Sequence, residues 1–265
     1  MTTAVRPALH APPYLPQVAA PDTSRQLGSC GSYRVMLAST DQERAAIYRL
    51  RFQVFNLELN EGLEVSYVTG EDRDEFDAVC EHLYVQHHAT GEIVGTYRVQ
   101  SGRTAERKLG YYSDREFVLA PFEPLRGEIL ELGRACIDQE HRSFEVLNLL
   151  WRGLALYAQE VKARYLLGCS SLTSQDPAEG WSVYEQLSGF QSAQELRTVA
   201  QPEFFLPPAP PKAGSKVPRL LRAYLSVGAH ICGTPGLDRE FKTIDFLTLL
   251  DFEKISPAAR ARFLR

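Results

Sequence analysis

The sequence predicts an α/β fold: a mixed sheet flanked by helices in a single domain with a C-terminal extension. An antiparallel hairpin pattern comes first, and strand patterns then alternate with helix patterns, which is typical of a mixed sheet. The chain has 265 residues, of which 44% are hydrophobic and 23% charged. These values are ordinary for a globular domain.

The first ordered element is expected close to residue 32. Residues 1–31 contain five prolines among Ala, Ser and Thr, a composition typical of a disordered arm. Tyr33–Ala38 is predicted as a short strand. Ser39 or Thr40 can cap the helix that follows, in which apolar residues recur at helical spacing.

A β-hairpin is predicted next. Its first strand alternates around Leu83 and Val85, its turn is Ala89–Glu92, and its second strand is Ile93–Gln100. The residues 128–137 are then predicted to form a central strand.

The second half of the domain should alternate between helices and strands. Residues 145–162 have the clearest helical pattern, residues 165–169 read as a buried strand, and a short helix should end at Gly189. A Pro-rich connection leads to a further helical segment and a closing strand. The domain, residues 32–250, is expected to be followed by a basic tail, residues 251–265.

The composition argues against several classes of function. A net charge of −4 and a pI near 5.9 argue against general nucleic-acid binding. Five scattered cysteines favour free thiols in a reducing compartment. No signal-peptide pattern and no run of about 18 apolar residues is present. We therefore expect a cytoplasmic protein that can lie on the inner face of the membrane.

Several segments together resemble a known family. They are "RFQVF", "DEFDAVCEHLYV", "TGEIVGTYRV", "YYSDREF", "ELGRACID" and "LLGCSSL", and the segment "PRLLRAYLSVGAHICGTPGLDREFKTIDFLTLLD" extends the match. They resemble the GNAT-fold N-acyltransferases of the ornithine-lipid-forming, hemolysin-like group. The resemblance implies transfer of a long fatty acyl group, which can carry a 3-hydroxyl, from acyl-carrier protein to the α-amine of an amino acid. Ornithine is the favoured acceptor.

A more distant resemblance is to the acyl-homoserine-lactone synthases. The family pattern of arginine, phenylalanine and acidic residues falls on Arg51, Phe55, Asp74, Asp77, Arg98, Phe117, Glu131 and Arg134. We predict that Glu131 and Arg134 are catalytic and that the other six residues bind the acceptor. The tryptophan expected after the first pair is absent, and Leu59 stands near its position. This departure favours the ornithine-lipid group.

The loop before the residues 145–162 has no glycine. CoA-dependent GNAT enzymes have small residues there, which let backbone N–H groups close on a pyrophosphate at the helix N-terminus. Here Glu145 and Leu147 replace those residues, while Arg142 is kept. The single phosphodiester of a carrier-protein arm needs a looser cradle. We therefore predict acyl-carrier protein as the donor, bound through Arg142, Ser143 and Arg152, with no separate cofactor.

Glu131 and Arg134 lie on the predicted central strand, where strict alternation would place them on opposite faces. Gly133 between them could host a β-bulge that brings both toward one cleft. In that arrangement Glu131 would accept a proton from the incoming ammonium group. The alternative is a salt bridge at the strand end.

Three other predicted roles have structural alternatives. Arg98 could anchor the acceptor carboxylate or be a solvated edge charge. Asp74 and Asp77 could contact the positive end of the acceptor or lie in a solvated loop. Tyr184 could protonate the leaving thiolate, as a tyrosine does in many GNAT enzymes, or be a core aromatic residue.

Cysteines and histidines are not expected to take part in chemistry. Cys136 and Cys169 fall in strand patterns and are predicted to be packing residues, because GNAT enzymes transfer the acyl group directly. His82, His87 and His88 flank the hairpin without nearby acidic partners, so no metal site is predicted.

Basic side chains predict where the acidic carrier protein docks. One group lies on or beside the helix at residues 145–162, and a second follows the Pro-rich connection: Arg142, Arg152, Lys162 and Arg164, and Lys212, Lys216, Arg219 and Arg222. The C-terminal tail adds further arginines beside Phe263 and Leu264, which could attract a membrane surface.

Two alternatives to the ornithine-lipid function stay open from the sequence. One is a synthase of acyl-homoserine lactones or other N-acyl signals. The other is a non-catalytic module that binds acyl chains or carrier protein.

Overall fold

The computed structural model describes residues 25–256, and residues 1–24 and 257–265 lie outside the described part. The described residues form nine strands. These are β1 (Arg25–Cys30), β2 (Tyr33–Leu37), β3 (Glu81–His87), β4 (Ile93–Ser101), β5 (Ile129–Ile137), β6 (Tyr165–Leu172), β7 (His230–Ile231), β8 (Gly236–Asp238) and β9 (Thr243–Asp251).

All nine strands belong to one sheet. Its order is β1-β2-β3-β4-β5-β6-β9-β7, and β8 also pairs with β9. Neighbouring strands are antiparallel except for β5 and β6, which run parallel. The predicted mixed sheet is therefore confirmed.

Six α-helices surround the sheet in the described part of the chain. They are α1 (Asp41–Phe52), α2 (Ser66–Thr69), α3 (Gly102–Arg107), α4 (Phe144–Glu160), α5 (Pro177–Gln186) and α6 (Arg219–Ser226). The helix α1 starts at Thr40, which forms the expected capping box with Glu43, and continues as a π-helical segment, Gln53–Glu58. No helix within residues 25–256 is long and apolar enough to cross a membrane.

The helix α4 packs on one face of the sheet. Its residues Val146 and Leu150 are fully buried against β2 to β5, so truncating Leu150 to Ala should cost about 2–5 kcal/mol. A Cβ at Gly153 would lie 2.6 Å from a methyl group of Val35, so glycine allows the helix to approach β2 closely. The helix α1 covers the opposite face.

Two boundaries differ from the prediction. The arm was expected to reach residue 31, but Arg25–Cys30 forms the edge strand β1, held by backbone pairing with β2. Its sequence, RQLGSC, lacks the apolar alternation that signals a strand. The segment expected to continue α6 as a helix instead turns into β7 after Gly228 (φ 107°). The predicted basic tail begins inside β9, which ends at Asp251, and its residues 257–265 lie outside the described part, as do residues 1–24 of the arm.

The parallel strands β5 and β6 separate soon after they meet. They pair only at Ile129 with Tyr165, Leu130 with Leu166 and Glu131 with Leu167. The later residues of both strands diverge and leave a gap in the middle of the sheet.

Candidate active site

A cavity of about 250 Å³ lies where β5 and β6 diverge. Tyr97 and Arg98 are neighbours on β4, so their side chains point to opposite faces of the sheet. Both line the cavity. The cavity therefore passes through the gap from one face of the sheet to the other.

The face that carries α4 and α6 supplies a wall rich in aromatic and aliphatic residues. The hydroxyls of Tyr97 and Tyr224 form a hydrogen bond, and Trp151 donates its Nε1–H to Tyr97 at 3.3 Å. Leu220 and Leu221 of α6 complete this wall. Burial raises the pKa of Tyr97 to about 12, so its phenol is neutral at physiological pH.

A β-bulge shapes the opposite, polar side. Thr96 pairs with Cys136 and Arg98 with Gly133, so Arg134 and Ala135 stand together opposite Tyr97. The left-handed residue of the bulge is Arg134, with φ 48°, rather than Gly133. The bulge brings Arg134 to the face of Glu131, and both side chains line the cavity.

Glu131 is held at one end of the short 3₁₀ turn Tyr112–Arg115. Its carboxylate accepts backbone N–H groups from Tyr112 at 2.9 Å and Ser113 at 2.7 Å. Burial raises the pKa of Glu131, while these two N–H groups act against the rise. A buried, oriented carboxylate of this kind can accept a proton from a bound ammonium group.

The charged residues predicted to bind the acceptor mostly bind one another. They form a buried network of arginines and aspartates: Arg51, Arg98, Arg134, Asp72, Asp74 and Asp77. Arg51 is fully buried between Asp72 and Asp77. Two members of this network, Arg98 and Arg134, line the cavity. Arg51 and the three aspartates do not line it and lie behind them. Three positive and three negative charges balance there.

Arg134 is fixed by stacking as well as by charge. Its guanidinium lies 5.1 Å from the ring centre of Tyr112 and 4.3 Å from that of Phe241. One edge donates to Asp74 at 2.9 Å. Its Nε–H donates no hydrogen bond within the described residues, although Oδ1 of Asp72 lies 3.3 Å away as an ion-pair partner. Arg134 is thus a preorganised cation in the cavity wall.

The predicted phenylalanines separate into two positions. Phe55 lines the cavity and packs edge-to-face on Phe241 at 5.4 Å. Phe117 is buried in a hydrophobic cluster beside the bridge to Ala200 and is absent from the cavity lining. Phe117 was predicted to contact the substrate, but the structure places it in the hydrophobic core. Leu59, near the expected tryptophan position, lines the cavity.

Tyr184 does not reach the cavity. It packs on Trp181 at the edge of the cluster under α5, and its hydroxyl lies 3.4 Å from Gln191. The predicted alternative, an aromatic packing residue, describes this placement. The hydroxyls that the structure brings to the cavity are those of Tyr97 and Tyr224, which come from β4 and α6.

The predicted donor-binding residues are placed around the start of α4. Ser143 caps the helix by accepting from Val146 N–H at 3.3 Å. Arg142 forms a two-pronged pair with Glu58 and also donates to the Ile137 carbonyl. Arg152 lies further along α4 beside Gly28 of β1, a strand that the sequence did not predict. It is therefore placed against the sheet edge instead of at the helix start.

Four further carboxylates line the cavity, and the sequence analysis did not single them out: Glu61, Glu116, Asp238 and Asp245. One signal was available, because Asp245 places a carboxylate between the apolar residues Ile244 and Phe246 of the closing strand. Cys169 also lines the cavity, and burial raises the pKa of its thiol well above the ordinary value. The thiol is therefore protonated at neutral pH, as a packing residue would be.

The predicted basic groups differ in their pairing. Arg142, Arg164 and Lys212 each form salt bridges. Within residues 25–256, Arg219 and Arg222 of α6 have no acidic partner. The helix α6 thus has an apolar side that lines the cavity and a basic side.

Comparisons with known proteins agree with this architecture. Residues 50–152 match the acetyltransferase (GNAT) domain. The chain is 32% identical over 247 residues to the L-ornithine N(alpha)-acyltransferase of Brucella abortus (strain 2308), covering 87% of this chain and 88% of that protein. It is 31% identical over 263 residues to the protein of the same name from Rhizobium meliloti (strain 1021), covering 92% and 88%.

Among solved structures, the fold is similar to that of the AHL synthase LasI. The TM-score is 0.51 at 14% identity, over 86% of this chain and 95% of that one. This likeness concerns the fold, and it confirms the distant resemblance read from the sequence. The relatives in Brucella and Rhizobium show that this chain belongs to the family of the L-ornithine N(alpha)-acyltransferases, and the GNAT domain match places it among the acyltransferases with that fold.

Proposed function

We propose that the protein transfers a long fatty acyl group from acyl-carrier protein to the α-amine of ornithine. The observation that carries the proposal is the Glu131 carboxylate in a cavity that passes through the gap between β5 and β6. Such a gap lets a thioester reach an amine from the other face of the sheet. The names of the relatives in Brucella and Rhizobium support ornithine as the acceptor.

In the proposed reaction, the amine and the thioester meet in the gap from opposite faces of the sheet. Glu131 accepts a proton from the α-ammonium group, and the free amine attacks the thioester carbonyl. Backbone N–H groups of β5 beyond its pairing with β6 stabilise the oxyanion. The C–S bond breaks, the amide forms, and the thiolate takes up a proton. Arg134, which lines the cavity, binds the acceptor carboxylate.

Neutral hydroxyls on the donor side can supply the proton for the thiolate. Tyr97 and Tyr224 line the cavity on the face of α4 and α6. We assign the proton donor to this pair in place of Tyr184. The apolar wall beside it accommodates the start of the acyl chain, which can carry a 3-hydroxyl group.

The start of α4 favours the phosphopantetheine arm of a carrier protein over CoA. Ser143 already accepts one helix N–H, and Arg142 is paired with Glu58. A Cβ at Gly31 would lie 2.2 Å from Glu145 Oε1, so this carboxylate crowds the turn between β1 and β2 beside the helix start. A second phosphate would meet that negative charge. The unpaired arginines of α6 give the acidic carrier protein a docking surface.

The proposed setting is the cytoplasm, with the protein at the inner face of the membrane when its product leaves. The test uses purified protein, ornithine, and either acyl-carrier protein or CoA carrying the same long acyl group. Mass spectrometry should show Nα-acylornithine formed faster from the carrier-protein thioester. A larger kcat/KM with the CoA thioester would contradict the donor assignment, and no acylornithine from either donor would contradict the function.

A further inference from the structure

The polar end of the cavity contains a cluster of buried carboxylates. Glu116, Asp238 and Asp245 each place one oxygen within 4.8 Å of the others. Each is at most 5% exposed. Glu61, also buried, lines the same cavity. None of the four forms a salt bridge within residues 25–256, so this cluster differs from the balanced network of arginines and aspartates behind the cavity wall.

Two oxygens of the cluster have no hydrogen-bond partner among the described residues. They are Oε2 of Glu116 and Oδ1 of Asp245, on side chains that are each 3% exposed. Asp238 is better supplied, because its Oδ1 accepts the backbone N–H groups of Glu240 and Phe241 at 2.8 Å. Burying carboxylates without partners is costly, so the cluster must either bind protons or receive a cation. Burial raises the pKa of Asp245 to about 6, as expected for a site without a cation.

The cluster and Glu131 are joined by one short piece of chain. Ser113 donates its N–H to Glu131, and the backbone N–H of Glu116 donates to the Ser113 carbonyl at 3.2 Å. Along this 3₁₀ turn, Glu116 follows Ser113 by three residues, which is a backbone rise of about 6 Å at 2.0 Å per residue. The side chain of ornithine separates its two nitrogens by a comparable, five-bond path.

We propose that Glu116, Asp238 and Asp245 bind the side-chain ammonium group of the acceptor while Glu131 faces its α-amine, an inference that rests on the proposed function. Three oxygens within 4.8 Å of one another can all lie within about 2.8 Å of one nitrogen, the distance of a charge-assisted hydrogen bond. An ammonium group has three such donors. The cluster supplies one acceptor for each.

This arrangement selects the nitrogen that reacts. The carboxylate cluster stabilises the protonated form of the side-chain amine, which then has no lone pair for attack. Glu131 faces the other amine alone and removes its proton. The acidic cluster thus favours acceptors with a second ammonium group and directs acylation to the α-nitrogen.

The test compares L-ornithine with norvaline, which has the same carbon chain without the side-chain amine. Glu116→Gln removes a charge at a position where burial already disfavours it, so the fold should tolerate the change. In the Glu116→Gln variant, we expect kcat/KM for ornithine to fall by about 100-fold. We expect kcat/KM for norvaline to fall by less than about threefold. Asp245→Asn is the second variant, and Glu123→Gln, on the surface beside Arg126, is the matched control.

The ratio of kcat/KM for ornithine to kcat/KM for norvaline decides the outcome. Equal losses for ornithine and norvaline in both cluster variants would overturn the inference while leaving the proposed function intact. Loss of wild-type activity in EDTA that Mg²⁺ or Ca²⁺ restores would also overturn it, because the cluster would then be a metal site. If the wild type acylates no ornithine at all, the proposed function fails and this inference fails with it.

Discussion

Replacing Asp77 by Asn should destabilise the protein strongly, because Asp77 is shared by two buried arginines. It accepts from Arg51 at 2.7 and 3.1 Å and from Arg98 at 3.2 Å, and it is 4% exposed. Burial alone would raise the pKa of Asp77, but the two arginines hold it well below its ordinary value. Removing this charge leaves three buried arginines with two aspartates. The expected loss is about 3–5 kcal/mol of unfolding free energy.

The measurement is urea denaturation at pH 7, with Asp251→Asn as the matched control. Asp251 pairs with Arg164, whose side chain is 31% exposed, so its loss should cost about 1 kcal/mol or less. The reasoning is refuted if Asp77→Asn costs no more than this control. A stable Asp77→Asn variant with a raised KM for the acceptor would instead support the substrate contact that the sequence pattern predicted.

Two further predictions concern the cavity and the donor. Burial raises the pKa of Glu61 from 4.5 to about 7, so the wild type loses stability as the pH rises through that range. Glu61→Gln should therefore be more stable than the wild type by about 3 kcal/mol at pH 8 and nearly equal to it below about pH 4, measured by urea denaturation; equal stability at pH 8 would contradict this. Reversing the charge of both α6 arginines, in the double variant Arg219→Glu with Arg222→Glu, should raise the KM for the acyl-carrier-protein thioester by about tenfold at low salt. The KM for ornithine should stay unchanged. The exposed Arg103→Glu is the control, and an equal effect of the control would place the docking surface elsewhere.

The order of elements and the place of Glu131 on the central strand were predictable because they depend on local patterns. Apolar spacing located α4, and Gly133 between Glu131 and Arg134 pointed to a bulge in β5. The structure places the left-handed conformation one residue later, at Arg134. A local pattern can predict that a bulge forms, whereas the choice of residue depends on partners such as Asp74 that are distant in sequence.

The partners of the charged residues were not predictable in the same way. The acidic segment before β3 resembled a solvated loop or a substrate contact, but its aspartates meet arginines from α1, β4 and β5. Similarly, the carboxylate cluster joins Glu116 to Asp245, which lie on segments more than a hundred residues apart. Such clusters depend on the tertiary fold, and the sequence gives only the hint of a polar residue in an apolar strand.

The edge strand and the donor-side hydroxyls were missed for related reasons. The strand β1 is stabilised by backbone pairing with β2, which leaves little trace in side-chain pattern. Tyr224 reaches the cavity from α6, the helix after the Pro-rich connection, and there it meets Tyr97. This C-terminal part of the domain therefore forms part of the cavity wall.

The most direct test of the central claim is the pH dependence of kcat/KM for ornithine in Glu131→Gln, beside Glu128→Gln as an exposed control near the start of the same strand. The account predicts a loss of about 100-fold or more at pH 7 for Glu131→Gln. The deficit should shrink as the pH rises and the α-amine loses its proton without help. Normal turnover at pH 7, or a deficit that stays constant as the pH rises, would show that Glu131 is not the base.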